Sequence, residues 1–323
     1  MILAAAAAAG MHAQTLPALP RSPDLYVSGF FAASIHRYFG PRSAVSGAKP
    51  ASPHAGAVYA QGVVRRPWGI AFGPDGNLYV ANVSGASPAI VRVDGPFSAT
   101  PGVAHDFVVA GAFFDLAFGP DGNVYAAGRG PVRRYDLVTG EQIDEFTRGY
   151  ALVETRGIAF GPDGLLYVSN YDGCPATPPG CGVARGEIVR FDALTGEFVD
   201  VWLRGGEGGL TWPWKIAFSA TGDLLIVNWT PSANNNVLIA RTRPRASHHI
   251  RREVTPSTSV LIARDAWFPL YVATGPEGHV YVSDSAGAGA VLRFHGRTGT
   301  FLDVFVPNVE GSPRGIAFSP GAR

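Results

Sequence analysis

One fourteen-residue pattern recurs along this chain and constrains its fold more than any other feature. It reads GIAFGPDGNLYVAN from Gly69 to Asn82, DLAFGPDGNVYAAG from Asp115 to Gly128, and GIAFGPDGLLYVSN from Gly157 to Asn170. Looser copies run from Lys215 to Asn228 and from Tyr271 to Asp284, and a shortened one begins at Gly315. Each copy is a pair of short apolar runs around a turn. Pro74 presets φ for the first central turn position, Asp75 bonds the local backbone, and Gly76 takes the left-handed conformation that closes a hairpin. Pro120, Asp121 and Gly122 repeat the arrangement, as do Pro162, Asp163 and Gly164. A run such as Leu166, Tyr167, Val168 is apolar throughout rather than alternating, which suits a strand buried on both faces.

A second hairpin follows each first one. It is plainest in GEIVRFDALTGEFVDVW (Gly186 to Trp202), AVLRFHGRTGTFLDVF (Ala290 to Phe305) and RRYDLVTGEQIDEF (Arg133 to Phe146), each turning at a Thr-Gly step. The unit is therefore four antiparallel strands, which is one blade of a β-propeller. Successive starts lie roughly 40–60 residues apart, the length of such a blade plus insertions. The two ends of the chain explain each other. GIAFSPG (Gly315 to Gly321) is a first strand without its partner, whereas DLYVSG (Asp24 to Gly29) is a second strand without its first, followed by a third in IHRYFG (Ile35 to Gly40). Joined, they supply one more blade with one C-terminal and three N-terminal strands. The expectation is an all-β, six-bladed propeller over residues 21–323, closed so that no sheet edge stays free.

These residues resemble a known group. The blade pattern, Gly-Ile-Ala-Phe-Gly-Pro-Asp-Gly and a later Val-x-Arg-Phe-Asp strand, is similar to NHL repeats and to the gluconolactonase/senescence-marker and virginiamycin B lyase propellers, over roughly residues 20 to 321. Such folds host lactonases, lyases and binding proteins alike, so the resemblance implies architecture before activity. In the lactonases it implies a divalent metal held in the central channel by Asp, Asn or Glu just before the Gly of each innermost strand. Here those positions are Trp68, Phe114, Arg156, Trp214, Leu270 and Arg314, none of which offers the oxygen ligands a hard cation takes. In the lyases it implies a His before one innermost strand and a Glu at the end of the next. No His occupies the first position in any blade, and the second positions hold Asn82, Gly128, Asn170, Asn228 and Asp284. The general acid/base pair is missing from both places.

The same positions admit a positive reading. Residues entering the innermost strands gather at one mouth of the channel, so Trp68, Arg156, Trp214, Lys215 and Arg314 would put aromatic faces and cations together, with Asp115 the nearest carboxylate. That set suits a sugar, a carboxylate-bearing ligand or a peptide, without metal or other cofactor. The alternative is that the Trp rings pack over the channel while the cations pair with neighbouring acids or backbone. Asn82, Asn170 and Asn228, each ending a strand, are expected to bond loop backbone.

Composition bounds the partners. The 26 Lys+Arg nearly cancel the 25 Asp+Glu, leaving a formal charge of +1 and no global field for nucleic acid. The apolar run from Ile2 to Gly10, followed by Ala13, reads as an export leader within residues 1–20, although no Lys or Arg precedes it. It is too short to span a bilayer, which takes about 20 apolar residues. Export would place the protein outside the cell or in the periplasm, where Cys174 and Cys181 in the Pro-rich CPATPPGC loop are expected to form a disulfide. The basic stretch from Arg241 to Glu253 includes His248 and His249, which as strand neighbours would face opposite ways and so not chelate; it reads as a solvated blade edge. The functional expectation is a monomeric, non-catalytic, extracytoplasmic propeller that binds a protein, glycan or small ligand, with a lactonase- or lyase-like enzyme as the alternative.

Overall fold

A computed structural model describes residues 23–41, 46–47, 58–62, 64–83, 89–171, 186–230, 234–241, 256–265 and 267–321. The leader, both cysteines and nearly all of the basic stretch fall outside these residues, so those expectations are not addressed by it. Six four-stranded antiparallel sheets form a ring. Blade one joins Pro313–Phe318 to Leu25–Gly29, Ser34–Tyr38 and Val58–Gln61. Blades two to six follow in chain order, and their innermost strands are Pro67–Phe72, Phe113–Phe118, Glu154–Phe160, Trp212–Phe218 and Pro269–Thr274. Each innermost strand packs on those of the blades either side, from blade one round to blade six and back. Among the described residues the only helical segment is one 3-10 turn, Glu207–Gly209, and no helix is long and apolar enough to cross a membrane.

The closure expected from the two chain ends is present: Leu25 pairs with Phe318, Tyr26 with Ala317 and Val27 with Ile316. The expected turns form as well. Gly76 has φ of 81° and donates its N–H to the Gly73 carbonyl at 2.9 Å, reversing the chain in two residues. Because every sheet is covered on both faces, the core is six wedges between neighbouring blades. Leu165, Tyr167 and Ile188 of blade four, for example, meet Ile216, Leu224 and Ile226 of blade five with almost no exposure.

Polar contacts pin the turns and outer hairpins of the blades. The tyrosine on the second strand is fully buried up to its hydroxyl, which donates to the acid of its own blade's first turn: Tyr79 to Asp75 at 3.0 Å, Tyr125 to Asp121 at 3.1 Å and Tyr167 to Asp163 at 2.9 Å. Burial pushes the Tyr167 phenol up to about 12, so it stays a donor at neutral pH. On the outer hairpins, Arg134 grips Asp144 at 2.7 Å and Arg190 grips Asp200 at 2.6 Å across paired strands. The tyrosine–aspartate contacts lie at the turn end of the innermost strands, opposite the strand starts where the blades diverge.

Candidate functional site

Every innermost strand slips register against its neighbour at the same place, just after it begins. Phe113 pairs with Gly128 and Asp115 with the adjacent Ala127, leaving Phe114 without a partner; Thr155 and Gly157 likewise bracket Arg156, and Pro269 and Tyr271 bracket Leu270. In blades two, five and one the slip contains Trp68, Trp214 and Arg314. A β-bulge of this kind bends the strand and re-aims a side chain. The six positions singled out in the sequence are thus the six bulged residues, and five of them meet at the channel mouth.

The Trp68 and Trp214 rings come from blades two and five, on opposite sides of the ring, and stack across the channel with centroids 5.5 Å apart and planes 20° from parallel. Trp214 stacks in turn on Trp229 at 4.3 Å, and Trp229 lies 4.3 Å from Phe268. Phe114 and Phe30 meet Trp68 edge-on at 5.8 and 5.5 Å. The row is half-buried along its length, with Phe31 and Phe268 well exposed at its ends. Two guanidinium groups sit among the rings. Arg156 lies between Phe114 and Trp214, 4.0 and 4.3 Å from their centroids, and pairs with Glu154. Burial lowers its pKa, with Glu154 opposing. Arg314 lies 4.9 Å from Phe30 and 5.0 Å from Trp68, and its Nη1 donates to Ser285 Oγ at 2.6 Å and Ser312 Oγ at 3.0 Å.

One residue further along the innermost strands the channel is bridged again, by polar groups. Asp115 is fully buried. Its Oδ2 accepts from Lys215 Nζ at 2.6 Å and from the Ile158 N–H at 3.0 Å, and its Oδ1 accepts from the Tyr271 hydroxyl at 2.8 Å. Blades three, four, five and six are thereby tied through a single carboxylate. Burial first, and Asp115 second, push the Tyr271 phenol well above its ordinary value. Small residues make the room: a Cβ on Gly69 would come 2.8 Å from Asp115 Cα, and one on Gly157 would come 3.0 Å from Lys215 Cα. Lys215 and Asp115 therefore belong to a layer beneath the rings, not to the open mouth where the sequence placed them beside Trp68 and Trp214.

The second-strand positions are engaged with backbone, as expected. Oδ1 of Asn82, Asn170 and Asn228 accepts from the N–H of Arg65, Val153 and Thr211 at 3.1, 2.9 and 2.8 Å. Asp284 does the same for Phe268 at 2.8 Å. Each ties the loop entering an innermost strand to the end of the next strand, and so fixes the bulge that follows. Where blade three has Gly128, Thr155 substitutes: its Oγ1 accepts from the Gly128 N–H and donates to the Gly128 carbonyl, both at 2.8 Å.

A divalent metal does not fit the bulged positions, which carry rings, an alkyl chain and cations. Among the described residues no group of three or more His, Cys, Asp or Glu side chains gathers as a metal site. What sequence reasoning missed were Phe30, Phe31, Trp229 and Phe268, loop or strand-end aromatics outside the repeat. The only local signal was an aromatic residue following the end of a second strand, as Phe30 follows Gly29 and Trp229 follows Asn228.

No family model matches the chain, and no curated protein does. Solved structures do. A gluconolactonase from Xanthomonas campestris superposes with a TM-score of 0.58 at 15% identity, over 93% of this chain and 90% of its own. Regucalcin, a calcium-binding protein from Agrobacterium tumefaciens, gives 0.55 at 17% identity over 79% and 78%. The β-propeller domain of Cps50 (Swd1) from Myceliophteria thermophila gives 0.54 at 12% identity over 91% and 87%. What is shared is the fold. The resemblance seen in the repeat extends to three-dimensional structure.

Proposed function

We propose that this chain is a non-catalytic binding propeller working outside the cytoplasm, with the aromatic and cationic channel mouth as its binding surface. The observation that carries the reading is the Trp68–Trp214 stack across the channel, half-exposed and flanked by Arg156 and Arg314. Half-exposed rings held rigidly by a closed β-ring suit the face of a sugar or another flat ligand, and guanidinium groups among them suit an anionic substituent. Trp and Arg are also among the residue types enriched where single side chains dominate binding energy. Tyr171 and Gly186 pair with each other at the end of blade four where Glu154 and Arg156 stand, so these strand ends border the same mouth.

The alternative, a lactonase- or lyase-like enzyme, has the fold in its favour and needs a group able to activate water or take up a proton. Asp115, the buried carboxylate of the channel, is engaged by Lys215, Tyr271 and the Ile158 N–H. The two readings separate in a thermal-shift screen of sugars, organic acids and peptides, run with divalent metal and with chelator, since a ligand of the native state raises apparent stability by mass action. A ligand whose stabilisation is indifferent to chelator and is lost in Trp68→Ala with Trp214→Ala supports the proposal, provided circular dichroism shows the variant folded. Stabilisation that chelator removes, or turnover of a lactone, refutes it.

A further inference from the structure

Arg314 is a charge at the channel mouth that its own fold leaves uncompensated. It is only 9% exposed, and among the described residues it has no carboxylate partner. Its neighbour in the aromatic layer, Arg156, pairs with Glu154, and Lys215 beneath pairs with Asp115. Arg314 has two serine hydroxyls and two ring faces instead. Its Nη1 is occupied by Ser285 and Ser312, and among the described residues its Nε is buried without a partner and its Nη2 meets no hydrogen-bond acceptor. Ser285 is fully engaged, since it also donates to the Pro313 carbonyl at 2.7 Å, whereas Ser312 accepts from Arg314 and keeps its own proton for donation. A cation removed from water without a counter-charge is costly, and a ligand that brings the missing charge offsets that cost.

The backbone around Arg314 carries a second, independent sign. Among the described residues the non-glycine positions with left-handed backbone are Ala33, Arg66, Asn308 and Ser312, with φ of 49°, 51°, 53° and 63°. All four belong to the loops that meet at Phe30. The Phe30 N–H donates to the Ser312 carbonyl at 3.2 Å, the Phe31 N–H donates to the Gly311 carbonyl at 2.8 Å, and the Arg66 guanidinium lies 5.8 Å from the Phe30 ring. Strained backbone gathers at functional sites because something other than folding selects it. Here it presents the Ser312 hydroxyl to Arg314.

We propose that Arg314 and Ser312 seat the carboxylate of a ligand whose flat apolar body rests on Phe30, Phe31 and Trp68. The proposal rests on the binding reading above and narrows it to a ligand class, organic monoacids. Arg314 is the buried cation of this site without a counter-charge, while the nearby Arg66 is solvated at the surface, so one negative charge is needed; this favours a carboxylate over a phosphate dianion, and the 74% exposure of Phe31 offers a ring face beside it. Burial holds the Arg314 guanidinium down to about 10, still cationic at neutral pH.

The test compares phenylacetate with its neutral isostere phenylacetamide by titration calorimetry on the full chain, with inorganic phosphate as a third arm. Phenylacetate is expected to bind at least about tenfold more tightly than the amide, and Arg314→Met is expected to abolish that preference, with Arg314→Lys intermediate. Arg314→Met should also melt no lower than the wild type without ligand, because it removes an unpaired buried charge; a purely structural arginine would give the opposite. Equal affinity for acid and amide, a preference that survives Arg314→Met, tighter phosphate than phenylacetate, or no saturable binding of the acid each overturns the proposal. Amide binding that Trp68→Ala abolishes, with no preference for the acid, would leave the mouth as a binding surface and remove only the carboxylate.

Discussion

Lys215→Met probes the polar layer that bridges the channel. The ammonium lies 2.6 Å from a carboxylate that is fully buried, and the lysine side chain is itself only 11% exposed. At an effective dielectric of ~20 the attraction across such a pair is about 6 kcal/mol. Removing one partner forfeits most of that and leaves Asp115 charged and enclosed, for a net loss of about 3–5 kcal/mol. Against a total stability of ~5–15 kcal/mol this is a large fraction, and at roughly 2–3 °C per kcal/mol it lowers Tm by roughly 6–15 °C. The assay is urea unfolding followed by far-UV circular dichroism, alongside calorimetry. The decisive companion is Asp115→Asn with Lys215→Met. An asparagine still accepts through its carbonyl oxygen but needs no counter-ion, so the double variant should recover more than half of the loss. A Lys215→Met variant within about 1 kcal/mol of wild type, or a double variant no better than the sum of the singles, would refute the view that the layer is held by charge pairing.

Two further outcomes follow from the ring and its turns. Deleting Gly315 to Arg323 removes most of the strand that pairs with Leu25–Gly29, so blade one opens; aggregation or loss of the cooperative melt is expected, and an unchanged monomeric melt by light scattering and calorimetry would overturn the closure. At acid pH, Asp121 and Asp94 set part of the stability. Burial pushes the Asp121 carboxyl up, but bonds from Asn123, Tyr125 and Arg134 outweigh it, and bonds from Thr100 and His105 do the same for Asp94, so both are held below the usual carboxylate range. Such groups stabilise above their unfolded pKa of ~3.9 and lose that contribution as pH falls through the lower folded value. Urea midpoints should therefore drop below about pH 4, and Asn123→Ala should shrink the drop while lowering stability at pH 7; an equal pH dependence in both proteins would count against Asp121.

The repeat by itself determined the blade, the number of blades, the hairpin turns and the joining of the two chain ends, because each depends on residues close in sequence or on one pattern recurring. Pro74, Asp75 and Gly76 specify a turn wherever they stand, and the unpaired strands at Asp24 and Gly315 can satisfy their backbone only in each other. The asparagines at 82, 170 and 228 were legible for the same reason, as they bond loops a few residues before the strand they follow. The sequence also named the bulged positions as a set, by their place before the repeat's glycine, without revealing the bulge that turns them inward. Tertiary structure alone decided what they meet. Trp68 and Trp214 face each other only because six blades close into a ring, and Asp115 reaches Lys215 and Tyr271 across sequence separations of 100 and 156. Asp115 stands where most other repeats have a glycine, and it is the node of the channel because Gly69 and Gly157 of the neighbouring blades leave it the space. Arg314 was legible as a cation, but its lack of a counter-charge is a property of its surroundings, and those are assembled from both ends of the chain at once.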